Sequence, residues 1–255
     1  MSEEVVHYEL GRAIATVTLD SPANRNALST QLVSELSAHL ATAAADAGVR
    51  AVVLTHTGTV FCAGADLKEQ AGEGGPEAGT KRMLGLLRSM VALPKPVVAR
   101  LDGAVRAGGL GIVGACDIAM ASGKTSFAFT EVRLGLAPAI ISLTTMGRMT
   151  ERAVSRYYLT GEKFDARAAA ECGLVTAAVG DDLDAAIDAV ADALRACSPQ
   201  GLAETKRVTT RETVAAFDAG ADEMQALSAR LFASEEAREG MTSFLQKRPP
   251  RWASG

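Results

Sequence analysis

The chain has 255 residues, 48% apolar and 22% charged, with 24 glycines. That is enough for one large buried core, or one domain with a small appendage, and it excludes disordered and fibrous classes. A formal net charge of -4 gives no general attraction to nucleic acid or an anionic membrane, so an anionic ligand must meet local cations.

The opening MSEEVVHYEL lacks a basic segment followed by an apolar one, and no apolar run approaches a bilayer span, so a cytoplasmic location is expected. Cys62, Cys116, Cys172 and Cys197 show no metal-like grouping with His7, His39 and His56. Reduced thiols, no metal and no catalytic histidine are expected.

Val5 to Leu10 and Ala13 to Leu19 flank Gly11-Arg12 and read as a hairpin. Leu32, Val33, Leu36 and Leu40 then recur at helical spacing, in a helix that starts near Ser29 and ends by Gly48. Ala51 to Leu54 is a buried strand, and the loop Thr55 to Ala65 leaves its carboxyl end, where open α/β folds place ligands. Gly72 to Gly79 has loop composition and precedes a helix from Lys81 to Leu93. Pro94-Lys-Pro96 ends that helix, Val97 to Leu101 is a strand, and Asp102-Gly103 turns into a glycine-rich stretch.

Short strands follow at Ile118 to Ala121 and Phe127 to Phe129, with helical segments after Ala139 that include Glu151 to Leu159. Beyond Leu174 to Val179 the pattern becomes helical, over Asp182 to Ala196, Pro199 to Val208, Glu212 to Phe232 and Glu235 to Gln246. The expected organisation is a core over 1-196 and a helical region over 197-255.

Two segments carry candidate chemistry. Phe61-Cys-Ala-Gly-Ala-Asp-Leu-Lys68 sets small residues between a strand end and a helix start, where unbonded N–H groups are available to a ligand oxygen. A tight turn with no further role would look the same. Gly103 to Asp117 enters an apolar helix and offers a second set of amides. Within it Gly109-x-Gly111-x-x-Gly114 matches the dinucleotide fingerprint, but seven residues separate the strand from the first glycine of that match and no acidic residue closes the next strand, which argues against a nicotinamide-dependent oxidoreductase.

The residues resemble the crotonase family of enoyl-CoA hydratases and isomerases over almost the whole chain. The matching pieces are Ser21-Pro-Ala-Asn-Arg25-Asn-Ala27-Leu, Phe61 to Glu69, Lys95-Pro-Val-Val-Ala, Gly103 to Asp117, Phe129-Thr-Glu131-Val-Arg-Leu-Gly-Leu136 and Phe244 to Trp252. The resemblance implies an α/β fold, a crotonase-like superhelix of repeated ββα units with a C-terminal helical trimerisation region. It implies a homotrimer or a dimer of trimers, an acyl-CoA thioester as partner, and no nucleic acid or membrane. No cofactor is implied beyond the coenzyme A moiety of the substrate.

In that family two backbone amides hold the thioester oxygen, which the resemblance carries to Ala63 and Gly108. Losing one such donor costs about 3 to 4 kcal/mol of barrier. Gly64, Ala65, Asp66 and Leu67 would line the same loop, with Ala27 beside it. Arg25 and Lys68 would meet the nucleotide and phosphates of coenzyme A, with Lys206 and a neighbouring subunit's Phe244 as weaker candidates; solvated surface charges are the plain alternative. Arg106, among small and apolar neighbours, is a candidate contact for coenzyme A or a substrate carboxylate, against outward pairing with an acid.

Of the two glutamates that hydratases of this family use, one maps onto Glu131 and the other falls on Gly111, so the chain resembles one-glutamate members. For Glu131 the alternative is a capping or ion-pairing role with Arg133. The expected function is hydration of a 2-enoyl-CoA to a 3-hydroxyacyl-CoA in fatty-acid or branched-chain acyl-CoA breakdown. One glutamate also suffices for a 3-enoyl-CoA/2-enoyl-CoA double-bond isomerase, and a noncatalytic acyl-CoA-binding protein is the third alternative.

Overall fold

The computed structural model describes residues 3–70, 75–180 and 182–253, and only the backbone of residues 68, 70, 75 and 76. Strands β1 (Val6–Gly11) and β2 (Ile14–Leu19) pair antiparallel with Gly11 opposite Ile14. The turn is therefore Arg12-Ala13, both at positive φ (50° and 64°), one residue beyond the Gly11-Arg12 expected. Residue type does not favour this turn, but the strand register fixes it. Arg195, at the end of helix α8 (Leu183–Arg195), also holds it by donating to the Arg12 carbonyl at 2.8 Å.

Helix α1 (Thr30–Ala45) starts on Ser29, whose hydroxyl accepts from the Leu32 amide at 3.2 Å. It buries the Leu32, Val33, Leu36 and Leu40 stripe that its spacing predicts. β3 (Ala51–His56), β5 (Val97–Leu101), β7 (Ile118–Ser122) and β10 (Ala177–Val179) add in parallel to give a six-stranded sheet of order β1-β2-β3-β5-β7-β10. Alternation along the strands divides their side chains between two layers. Ala15, Val17, Val52 and Leu54 face the main core, and Ile14, Val53 and Val98 pack on Leu183 and Ile187 of α8.

A second sheet lies mostly within segments that the sequence presents as loops, and only its strand over 126–128 overlaps an expected one, Phe127 to Phe129. β4 (Val60–Cys62), β6 (Ala104–Arg106) and β8 (Ser126–Ala128) run parallel, and β9 (Phe164–Asp165) closes the edge antiparallel. Strands this short give no readable alternation. The short helix α2 (Leu67–Gln70) follows β4, and α3 (Gly75–Ala92) starts before the expected Lys81. Part of the expected loop, 75–79, is therefore helix, while 71–74 lie outside the described residues. Glycine in a helix costs about 1 kcal/mol relative to alanine. The buried stripe of Met83, Leu84, Leu87, Met90 and Val91 offsets that cost.

Helix α4 (Gly108–Ala115) enters from β6, and α5 (Ala139–Thr145) packs along it. After α6 (Glu151–Thr160) and α7 (Ala166–Glu171), the helices α9 (Pro199–Thr209), α10 (Arg211–Phe232) and α11 (Glu235–Leu245) lie within two residues of their expected bounds. α10 rests on α3 and α5, and α11 on the 3-10 turn Glu131–Leu134. Among the described residues no helix is long and apolar enough to cross a membrane.

Lys206 of α9, proposed from the resemblance as a coenzyme A contact, is instead buried. Its Nζ lies 2.7 Å from an Asp117 carboxylate oxygen and donates to the carbonyls of Met90 and Lys95 at 2.9 and 3.1 Å. The same Asp117 oxygen accepts from the Val97 amide at 2.7 Å. One ammonium thus joins the end of α3, the start of β5 and the residue that follows α4. Removing one member of a buried pair leaves the other uncompensated. Lys206→Met should cost about 3 kcal/mol in chemical denaturation, and Lys206→Met with Asp117→Asn should recover part of that loss.

Candidate active site

The parallel pairing of β4, β6 and β8 determines what meets at the site. Cys62 is level with Val105, and Arg106 with Ala128. Three segments therefore leave the same end of adjacent strands: Ala63 to Asp66, Ala107 into α4, and Phe129 to Glu131. Carboxyl ends of parallel strands are where such sheets expose unbonded backbone groups and bind ligands.

The first two segments touch. Gly64 has φ +89°, and a Cβ there would lie 2.8 Å from the Ala107 Cβ and 3.5 Å from the Gly108 nitrogen. Only glycine meets both demands. Ala107 itself has φ 45° and ψ -120°, a strained conformation for an alanine, held in part by its N–H donating to the Ala128 carbonyl at 3.2 Å.

The amides correct one expectation. The Ala63 N–H donates to the Arg25 carbonyl at 3.1 Å and is not available to a ligand. Two residues on, the Ala65 N–H makes no hydrogen bond among the described residues, and neither does that of Gly108 in the first turn of α4. Gly64, at φ +89°, breaks the extended run between them, so the pairing at Ala63 does not extend to the Ala65 amide.

The loop before α1 fixes this arrangement. Arg25 and Asn26 both have positive φ (54° and 50°). The fully buried Asn26 accepts from the Ser21 amide at 2.7 Å and donates to the carbonyls of Thr57 and Val60 at 3.2 and 2.8 Å. Leu28 N–H donates to Gly64 C=O at 2.8 Å. Asp66 is a support: it accepts from Asn24 at 2.7 Å and from the Glu69 amide at 3.3 Å. Ala27 is buried, Leu67 opens α2, and Arg25 is exposed with no side-chain partner among the described residues. The side chain of Lys68 lies outside the described residues.

Arg106 is also placed differently from the expectation. Its guanidinium donates to the carbonyls of Val105 and Ser126 at 2.8 and 2.6 Å and to the Ser126 hydroxyl at 2.9 Å. It joins β6 to β8 and pairs with no acid among the described residues. A cavity of about 500 Å³ beside it, lined by Ser126, Arg156, Tyr157, Lys163, Phe164 and Asp165, shares none of the three segments.

Glu131 opens the 3-10 turn after β8. It makes no pair with Arg133, which donates to the Thr160 carbonyl at 3.3 Å. Glu131 Oε2 is sealed from solvent with no hydrogen-bond partner among the described residues, and burial pushes the carboxyl up to about 7. Nearby, Tyr158 stacks on Phe129 at 4.5 Å and donates its hydroxyl to Thr145 at 2.6 Å, because Thr145 donates its own to Ile141 C=O at 2.7 Å. Burial raises the Tyr158 pKa, and the neighbouring Glu131 charge adds to the rise. Tyr158 and Ile141 belong to helices whose apolar spacing reads as ordinary core, so the sequence gave no signal for them.

The remaining groups are neutral. Gly111 lies inside α4, where its backbone belongs to the helix, so the dinucleotide-like glycines form no phosphate cradle. Cys62 and Cys116 are buried, and burial pushes both thiols up to about 12. His56 accepts from the Asp102 amide at 3.3 Å and faces the Thr57 carbonyl at 3.1 Å, a pattern that fits only the neutral ring with its proton on Nδ1. Burial lowers its pKa further.

Residues 9–255 match the family model described as enoyl-CoA hydratase/isomerase. The chain is 30% identical to the 2,3-dehydroadipyl-CoA hydratase of Escherichia coli K12, over 98% of each chain. It superposes on a crystal structure of an enoyl-CoA hydratase from Mycobacterium avium with a TM-score of 0.91 and 51% identity, over 98% of this chain and 100% of that one. Carnitinyl-CoA hydratase from Mycobacterium avium is similar over 100% of both chains, with 27% identity and a TM-score of 0.85.

The folded state keeps a proton on Glu131 that the unfolded chain releases, so folding stability should fall as pH rises from about 4.5 to about 7. Glu131→Gln removes that penalty. Denaturation should find the variant more stable than the parent by up to about 3 kcal/mol at pH 8, with the gap closing near pH 4.

Proposed function

Because the chain belongs to the enoyl-CoA hydratase/isomerase family, we propose that it adds water to a 2-enoyl-CoA, with Glu131 as the proton-transfer group and the Ala65 and Gly108 amides as donors to the thioester oxygen. The observation that carries this reading is Glu131 Oε2, sealed from solvent and without a hydrogen-bond partner among the described residues, on the strand end next to the one that delivers the Gly108 amide.

Ionised Glu131 takes a proton from water as the water oxygen bonds to C3. The electron pair of the double bond moves through the thioester, and negative charge collects on its oxygen between the two amides. Glu131 then returns the proton to C2, giving the 3-hydroxyacyl-CoA. Fixed amides act where charge develops and need not reorganise during the reaction. Arg25, exposed beside the loop, suits a phosphate of the coenzyme A moiety.

Double-bond isomerisation is a second reading, favoured by the apolar side chain that fills the space beside Gly111, where a Cβ would lie 2.6 Å from Ile141 Cγ2. One carboxyl could remove a proton at C2 of a 3-enoyl-CoA and return it at C4. Crotonyl-CoA separates the two readings. Loss of enoyl absorbance with formation of 3-hydroxybutyryl-CoA is the expected result, and inactivity there with conversion of a 3-enoyl-CoA would establish the isomerase. Unchanged thioester binding with no turnover would leave a binding protein.

Glu131→Gln should lower kcat by about 10² to 10⁴. Since Glu131 must start ionised, kcat/KM should fall about tenfold per pH unit below 7 and level off above it.

Assembly into three or six copies belongs to the same reading. Phe244, Leu245 and Trp252 are exposed on the tail, where apolar area is costly unless covered. Light scattering should give three or six times the 26.4 kDa chain mass, and a monomer at micromolar concentration would contradict it.

A further inference from the structure

The space beside Gly111 has a definite occupant. A Cβ on Gly111 would lie 2.6 Å from Cγ2 and 3.0 Å from Cβ of Ile141, and 3.3 Å from Cδ1 of Leu87. Ile141 is almost fully buried, and the α5 helix that carries it is held against α4 where the Thr144 hydroxyl meets the Gly111 carbonyl at 2.9 Å. A carboxylate side chain at position 111 has no room, and the surface it would meet is hydrocarbon.

Gly108 and Gly111 share one face of α4, about 4.5 Å apart along the axis. That face is walled by apolar groups. A Cβ on Gly108 would meet Leu28 Cδ1 at 2.7 Å and Met83 Cε at 3.6 Å, and Leu87 follows Met83 by one turn of α3. A thioester oxygen held at the Gly108 amide therefore directs the first carbons of its acyl chain along this wall toward Ile141. The turn that carries Glu131 leads into α5 within eight residues, so the proton-transfer group and Ile141 belong to one stretch of chain.

We propose that Ile141 is the specificity-determining residue of this site, closing the acyl groove over Gly111 and thereby limiting the length of the acyl group accepted. The inference rests on the acyl-CoA reading above and adds which residue sets the acyl limit. Gly111 and Ile141 act as a pair: the glycine makes room on α4, and the isoleucine fills that room from α5 with no polar group. The one-carboxyl chemistry and the acyl limit then have a common cause.

The test compares the parent with Ile141→Ala and Ile141→Val, using two readouts. The first is kcat/KM for crotonyl-CoA against 2-octenoyl-CoA. The second is the calorimetric Kd for butyryl-CoA against octanoyl-CoA, which needs no turnover. Removing three carbons from an apolar wall should shift both ratios toward the longer chain by about tenfold or more, and Val should shift them several-fold in the same direction. Gly111→Ala in the Ile141→Ala background, where the 2.6 Å contact with Cγ2 is gone and only the 3.0 Å contact with Cβ remains, should return part of the shift.

Ratios within about twofold of the parent in folded Ile141→Ala overturn the proposal. Should that variant fail to fold, the Val ratios decide in the same way. The two levels of the reading fail differently. A parent that hydrates no 2-enoyl-CoA refutes the hydratase assignment while the binding ratios still decide the role of Ile141. Normal turnover with unmoved ratios refutes Ile141 alone.

Discussion

The close approach of two strand-end loops is the constraint on which the site depends. Gly64 lies so near Ala107 and Gly108 that even a methyl group at Gly64 would be 2.8 Å from its neighbour. This contact exists because β4, β6 and β8 run parallel in the small sheet, which sends three chain segments out at one end. Antiparallel pairing would scatter those ends. Backbone amides can then act as fixed donors, since strand ends and the first turn of a helix are where N–H groups lack internal acceptors.

The second constraint is dryness. Beside the two amides burial favours the neutral form of the titratable groups it reaches: Glu131 titrates near pH 7, and the Cys62 thiol far above it. A buried carboxylate oxygen without a partner is costly and persists where a ligand or a transferring proton completes it. Low polarity around Glu131 sets its proton affinity near that of neutral solution, which is what a group that both takes and returns a proton requires.

Distant parts of the chain keep this arrangement in place. Asn26 closes the loop before α1 through the Ser21 amide and ties it to Thr57 and Val60 through two further hydrogen bonds, so that Arg25 can engage Ala63 and leave Ala65 free. At the other end of α4, Lys206 reaches in from α9 to Asp117. The helical tail is thus part of the support for the site, with α10 on α3 and α5 and α11 beneath the Glu131 turn.

The main sheet, α1 and the long C-terminal helices were legible in the sequence because each is long enough for its apolar period to be read and ends at a recognisable cap or turn. The Gly108 turn was legible from its small residues, and Glu131 and the missing carboxylate at Gly111 only through the resemblance to a known family. The short strands β4, β6 and β9 were not, because two or three residues carry no period. Which amide is free, whether Arg106 faces a ligand and what stands beside Gly111 could be decided only by the tertiary structure. The physical reason is common to all three: a hydrogen bond or a filled volume belongs to two partners. Arg25 with Ala63, Ser126 with Arg106 and Ile141 with Gly111 are far apart in the chain and meet only in the fold.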